Sequence, residues 1–130
     1  MLSTIDCIRI KVPSLEEGIE FYVTKLGLEI LWKTATAIGL KLPNSKSEIV
    51  IHIESEEGLE IDFKVDDVNS ACEEYSEAGG KIIAQPFDIP IGKCCVVKDP
   101  FGNSYVLLDS SKGVYETDST KMVVGLKKVE

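Results

Sequence analysis

The first half of the sequence repeats in the second half at a displacement of about 53 residues. This shift places Ile8 on Ile61, and it also relates three further pairs: Val12 and Val65, Tyr22 and Tyr75, and Gly27 and Gly80. Two copies are too few for a solenoid, in which at least about three stacked repeats share a core. We therefore expect a duplicated supersecondary unit.

Each copy begins with an alternating strand that leads into a capped helix. In the first copy, apolar residues alternate with polar or small ones: Ile8, Ile10 and Val12 against Cys7, Arg9 and Lys11. This period of two predicts a strand that is buried on one face. Ser14 and Glu17 then form a capping box, apolar residues recur at helical spacing, and Gly27 ends the helix.

The second copy follows the same plan. Its first strand alternates Ile61, Phe63 and Val65 with Glu60, Asp62 and Lys64. Asp66 and Asp67 open the second helix, and Gly79 and Gly80 close it. Asp99-Pro-Phe-Gly102-Asn103 predicts a tight turn between the last two strands, with a positive φ at Gly102.

Short apolar runs predict three more strands in each copy, near 28–34, 37–42 and 47–54, and near 80–88, 92–98 and 103–109. The predicted fold class is α+β, with two β-α-β-β-β modules in one domain, 1–130. Module one covers about 1–56 and module two about 57–109. Residues 110–130 form a C-terminal extension with a linker and one more strand at 121–126, which covers a sheet edge of its own chain or of a second subunit.

Composition restricts the partners and the compartment. The net charge of −8 and the pI near 4.7 oppose nucleic-acid binding. No apolar run reaches the length of about 18 residues that a membrane span requires, and the N-terminus lacks a signal pattern, so we expect a cytoplasmic protein. The four cysteines lack Cys-x-x-Cys spacing and are expected to be reduced.

Several motifs together resemble the vicinal oxygen chelate superfamily over about residues 3–109: Glu20-Phe-Tyr22, Lys25-Leu-Gly27-Leu28, Phe63-Lys-Val-Asp66-Asp67 and the turn at 99–103. This superfamily includes glyoxalase I, extradiol dioxygenases, methylmalonyl-CoA epimerase, fosfomycin-modifying enzymes and bleomycin-resistance proteins. The resemblance implies paired modules whose mixed sheet curls into a cup that holds a ligand. It also implies a homodimer and, in the enzymes, a divalent metal ion at the floor of the cup.

The resemblance further implies metal ligands, typically His, Gln or Glu, on the first and last strands of each module. These positions fall on Cys7, His52, Glu60 and Val106. Valine has no donor atom where Glu is usual, so we expect that the metal site has been lost. The alternative is zinc, nickel, manganese or iron held by the other three side chains.

Strand alternation independently places the same four positions on the sheet face that points away from the helices. We therefore predict that Cys7, Arg9, His52, Glu60 and Val106 line one concave ligand pocket. Glu60 and His52 are the candidate catalytic residues, because partial burial can tune either group into a general base. The structural alternatives are a hydrogen-bonded histidine in the wall of the cup and a solvated glutamate.

Two more side chains have open roles. Arg9 either clamps an anionic substrate or forms salt bridges with Asp62, Glu60 or Glu48. Trp32 either forms an aromatic wall for the ligand or packs in the core or at a subunit contact.

Two function classes follow. The first is a metal-independent small-molecule-binding protein similar to bleomycin-resistance proteins. The second is a glyoxalase-like lyase, isomerase or dioxygenase that depends on a divalent metal with altered ligands.

Overall fold

The structure, a computed structural model, describes residues 1–128. It divides into two compact units. The first unit contains Asp6–Glu60 and Tyr115–Gly125, and the second contains Met1–Ile5, Ile61–Val114 and residues 126–128. The predicted module boundaries near residues 56 and 109 stay a prediction, and the last two residues of the predicted extension lie outside the described residues.

The element order is β-α-β-β-β twice, followed by two further strands. The first copy contains β1 (Thr4–Lys11), α1 (Leu15–Ile19), β2 (Glu29–Lys33), β3 (Ala37–Lys41) and β4 (Glu48–His52). The second contains β5 (Leu59–Lys64), α2 (Val68–Glu77), β6 (Lys81–Ile89), β7 (Gly92–Lys98) and β8 (Ser104–Leu108), and β9 (Val114–Thr117) and β10 (Val123–Lys127) follow. The predicted α+β class, with a mixed sheet and two helices, is confirmed.

In the first unit, the strands lie in the order β2-β3-β4-β1, and only β4 and β1 are parallel. Ser14 caps α1 by accepting the N–H of Glu17 at 3.1 Å. The helix continues as a π-helical turn over Glu20–Lys25 and ends at Gly27, whose φ is +79°. One sheet face packs against this helix through a core of Val12, Ile38, Leu40 and Ile51 with Leu15, Ile19, Tyr22 and Val23.

In the second unit, the order is β5-β8-β7-β6, and β5 and β8 are parallel. Asp67 caps α2 by accepting the N–H of Ser70 at 2.9 Å. The helix packs on a core of Val65, Val68, Ala71, Cys72, Tyr75, Cys95, Val97 and Leu107. Cys94, Val106 and Leu108 form a separate buried cluster, as the strand alternation requires.

The predicted turn before β8 is present, with φ of +95° at Gly102. Its main organiser is Asp99, whose Oδ1 accepts the N–H groups of Phe101 at 2.8 Å and Asn103 at 2.9 Å. Asn103 adds a hydrogen bond from Nδ2 to Oδ2 of Asp99 at 2.8 Å. The carboxylate therefore supports the turn that Gly102 makes possible.

The C-terminal extension contains two strands where the sequence predicted one. β9 and β10 pair with each other in a two-stranded sheet. Within the first unit, the N–H of Lys33 donates to the carbonyl of Lys121 at 2.8 Å, and Lys33 and Met122 form a parallel bridge. The extension thus contacts the end of edge strand β2 in its own chain. No helix in residues 1–128 is long and apolar enough to cross a membrane.

Candidate functional site

The face of the first unit's sheet that points away from α1 carries most of the predicted site residues. The parallel register of β1 and β4 pairs Cys7 with Glu48, Arg9 with Val50 and Lys11 with His52. Since paired residues share a face, these six side chains lie on one side of the sheet. Ala37 and Gly39 of β3 join them opposite His52 and Val50. We call this surface the polar face.

Arg9 is at the centre of an ion cluster on the polar face. Its Nη2 contacts Oε1 of Glu54, and its Nε lies 3.4 Å from Oε2 of Glu60. Thr36 donates a hydrogen bond of 2.7 Å to the other oxygen of Glu54. Burial acts to raise the pKa of Glu54, but the hydrogen bonds from Thr36 and Arg9, with the charge of Arg9, hold it below its ordinary value. Arg9 is therefore ion-paired with Glu60, a predicted partner, and with Glu54, which sequence reasoning did not consider.

His52 is buried, with 1% of its surface exposed. Its Nδ1 lies 3.1 Å from the backbone N of Glu54 and accepts that N–H. Burial, and then the charge of Arg9, lower the pKa of His52 against the opposing effect of Glu54 and Glu60. The imidazole is therefore neutral near pH 7 and carries its proton on Nε2. This arrangement suits a hydrogen-bond donor better than a general base.

Trp32 lies on the polar face because Gly39 leaves room for it. A Cβ at Gly39 would come within 2.0 Å of the indole Nε1. That Nε1 donates a hydrogen bond of 2.8 Å to Glu48. Burial raises the pKa of Glu48, with the Trp32 hydrogen bond opposing and the charge of Asp6 adding to the increase.

Tyr115 of β9 completes the aromatic part of the site, and sequence reasoning missed it. Its ring centroid lies 4.9 Å from that of Trp32, at an interplanar angle of 56°. Burial and the charges of Glu54 and Glu48 raise the pKa of Tyr115, while Arg9 opposes them. The β-branched and aromatic residues Val114, Tyr115 and Thr117 after Gly113 were the available signal for the strand. No sequence pattern near Tyr115 indicated that its ring contacts Trp32.

The remaining predicted residues lie in two places. Cys7 is buried beside Ala37 and Val50, with Trp32 against them. Val106 is in the second unit and packs with Cys94 and Leu108. The structure therefore brings Cys7, Arg9, Trp32, His52 and Glu60 together within the first unit, while the convergence of Val106 on the same pocket stays a prediction.

The donor atoms do not fit a divalent metal ion. In residues 1–128, no group of three or more His, Cys, Asp or Glu side chains has a metal-binding arrangement. Nδ1 of His52 is engaged by a backbone N–H, and the carboxylate of Glu60 faces the Arg9 cation. Val106 has no donor atom at all.

A protein-family model matches most of the chain. A family model described as "Glyoxalase/Bleomycin resistance protein/Dioxygenase superfamily" matches residues 4–107. The chain belongs to this superfamily. The match ends before β9, so the segment that carries Tyr115 lies outside the matched residues. A search of curated proteins found none that matches the chain.

Solved structures show the same superfamily fold. A hypothetical protein, BH1468 from Bacillus halodurans C-125, is 19% identical with a TM-score of 0.70, covering 86% of this chain and 97% of that one. Methylmalonyl-CoA epimerase from Mycobacterium tuberculosis is 16% identical with a TM-score of 0.69, covering 85% and 89%. A Streptomyces coelicolor methylmalonyl-CoA epimerase variant in complex with 2-nitronate-propionyl-CoA is 19% identical with a TM-score of 0.69, covering 85% and 99%. At these identities the likeness establishes the fold alone.

Proposed function

We propose that this superfamily member is a metal-independent small-molecule-binding protein and that its ligand contacts the polar face of the first unit. The observation that carries the proposal is the ion cluster of Arg9, Glu54 and Glu60 beside a neutral, buried His52. The charges of Arg9, Glu54 and Glu60 are paired with one another, so these side chains do not need a metal ion. A metal-dependent lyase, isomerase or dioxygenase would instead need Glu60 and His52 to give up their present partners.

The charges on the polar face favour an uncharged or cationic ligand. Arg9 is shared by two carboxylates, so the three groups carry a net negative charge. An anionic ligand would have to displace Glu54 or Glu60 from the guanidinium and leave that carboxylate without its cation. One similar structure is described as methylmalonyl-CoA epimerase in complex with methylmalonyl-CoA and NH4+. We propose that this chain does not take such an anionic thioester.

Fluorescence of Trp32 tests both parts of the proposal, because it is the only tryptophan in the chain. The probes are benzylamine, benzyl alcohol and benzoate, which share a ring and differ in charge. After treatment with EDTA, we expect benzylamine to bind the wild type at least as tightly as benzyl alcohol, and benzoate to bind weakest. The proposal would be contradicted if benzoate bound most tightly of the three probes, or if binding required added metal. It would also be contradicted if methylmalonyl-CoA, titrated in the same way, bound more tightly than benzylamine.

A charge variant sharpens this experiment. In the double variant Glu54→Gln and Glu60→Gln, Arg9 keeps amide partners but loses both negative charges, so benzoate should become the tightest of the three probes. Phe101→Ala is the matched control, since Phe101 is 86% exposed in the other unit. It should leave the order of affinities unchanged.

The superfamily resemblance also leads us to propose a homodimer. Sedimentation equilibrium should then give a mass twice the 14.3 kDa of the chain. A monomer mass at all concentrations tested would oppose it.

A further inference from the structure

The contact between Tyr115 and Trp32 joins the residues that match the family model to a segment that follows them. Trp32 lies within the matched residues 4–107, whereas Tyr115 belongs to β9. The aromatic ring of Tyr115 lies against the indole at 4.9 Å between centroids. An aromatic ligand that stacked on Trp32 would need the same space.

The hairpin of β9 and β10 holds Tyr115 in this place. Its turn is organised by Asp118, whose Oδ1 accepts the N–H groups of Thr120 at 2.8 Å and Met122 at 3.2 Å. The hydrogen bond from Lys33 to the carbonyl of Lys121 ties the turn to the end of β2. Because Trp32 precedes Lys33 in β2, the backbone contact and the ring contact reinforce each other.

We propose that Tyr115 occupies the aromatic subsite of the polar face and that a ligand ring binds there by displacing it. This inference rests on the proposed function. The surroundings of Tyr115 indicate the class of ligand. Its ring lies against Trp32, and the charges of Glu54, Glu48 and Arg9 act on its hydroxyl, which favours an aromatic ring that carries an uncharged polar group, as a phenol does. A tyrosine phenol is protonated near neutral pH at its ordinary pKa, and burial with the nearby carboxylates of Glu54 and Glu48 raises the pKa of Tyr115 further.

The attachment of the hairpin is compatible with displacement. Val124 is 62% exposed, and Met122 is 38% exposed, so this part of the hairpin buries little apolar surface. Segments with few buried apolar contacts open at lower free energy than the core of a domain. A ligand that replaces the ring contact with Trp32 would recover that part of the free energy that opening loses.

Rescue with p-cresol, which is the side chain of tyrosine as a free molecule, tests the proposal. In Tyr115→Ala the subsite is open, so p-cresol should bind about tenfold more tightly than to the wild type, as measured by Trp32 fluorescence. Tyr115→Phe keeps a ring in place and should bind p-cresol like the wild type. Toluene, which lacks the hydroxyl, should bind Tyr115→Ala more weakly than p-cresol. Phe101→Ala, the control for loss of an exposed aromatic ring, should match the wild type.

A second measurement uses the wild type alone, in case Tyr115→Ala fails to fold. Nuclear Overhauser contacts between the rings of Trp32 and Tyr115 should be present in the free protein and absent at saturating p-cresol. Contacts that persist in the complex would overturn the inference, and so would equal affinity of p-cresol for Tyr115→Ala and wild type. If benzylamine binds the wild type while either of these results is found, the proposed function stands and only the displacement fails.

Discussion

Gly39 lets the indole of Trp32 lie directly on the sheet. A methyl group there would overlap Nε1 of Trp32 at 2.0 Å. Gly39→Ala should therefore lower the free energy of unfolding by about 1–3 kcal/mol, as overpacked sites do, and shift the emission of Trp32. Urea denaturation followed by fluorescence measures both effects. Gly125→Ala is the control, since a Cβ at Gly125 meets nothing within 4 Å.

His52 makes stability depend on pH with a defined sign. Its folded-state pKa is lowered, first by burial and then by Arg9. His52 therefore binds a proton more readily in the unfolded chain than in the folded one. The contribution of neutral His52 to the free energy of unfolding is complete above the unfolded pKa of about 6.5, and it is lost as the pH falls toward the folded pKa. The free energy of unfolding should decrease by at most about 1.4 kcal/mol per pH unit in this window.

The matched variant is His52→Asn, whose side-chain oxygen can accept the N–H of Glu54 without titrating near pH 6.5. The raised pKa of Glu48 acts in the opposite direction at lower pH, so the difference between wild type and variant isolates the histidine. Urea titrations between about pH 5 and 8 give this difference. Since the chain has one histidine, its NMR titration also reads the folded pKa directly, and a value above that of the unfolded chain would refute the assignment.

Strand period predicted which residues share the polar face but not how they pair. The alternation in β1 and β4 places Arg9 and His52 on one side, as the register confirms. Glu54, which contacts both, follows the end of β4 at His52. The period of two holds only inside a strand, so it carries no information about a side chain beyond the strand end.

Among the elements, α2 depends on a carboxylate far along the chain. Asp109 is 1% exposed, and it accepts the N–H groups of Val68 at 2.9 Å, Lys93 at 3.0 Å and Ser111 at 3.2 Å. It thereby satisfies an N–H at the start of α2 and fixes β7 and the chain after β8. Burial acts to raise the pKa of Asp109, but these hydrogen bonds outweigh it and lower the pKa.

Asp109→Ala should therefore cost about 3 kcal/mol of unfolding free energy, because it leaves three backbone donors without their acceptor. Asp109→Asn keeps an acceptor and should cost less. Asp88→Ala is the control, as Asp88 is an exposed carboxylate that pairs with Lys112 at 3.1 Å; its effect should be under about 1 kcal/mol. Thermal and urea unfolding monitored by circular dichroism compare the three variants, and equal stability of Asp109→Ala and Asp88→Ala would exclude the anchoring role.

Local signals predicted the elements well where one residue determines the geometry. Ser14 and Asp67 cap the helices, and Gly27 and Gly102 have the positive φ that their turns require. The π-helical turn at 20–25 was not predicted, because its side chains keep an apolar pattern close to that of an α-helix. β9 was missed because its four residues are few and have no alternation of apolar and polar types, and residues 110–113 before it suggested a linker.

For the whole molecule, the sequence predicted the fold but only the outline of the function. The motifs between Glu20 and Asn103 led to the superfamily, which the match over residues 4–107 establishes. Superfamily membership does not determine the chemistry, since one fold supports many sites. The features that argue for a metal-independent ligand site, the sharing of Arg9 and the placement of Tyr115 on Trp32, are long-range contacts. No local pattern encodes them.

Metal independence at the polar face is most directly tested by one paired measurement on the wild type. Protein purified without chelators is analysed for zinc, nickel, manganese and iron, and benzylamine is titrated by calorimetry before and after EDTA treatment. We predict no stoichiometric metal and the same affinity in both titrations. One equivalent of bound metal, with benzylamine binding lost on chelation, would contradict the account.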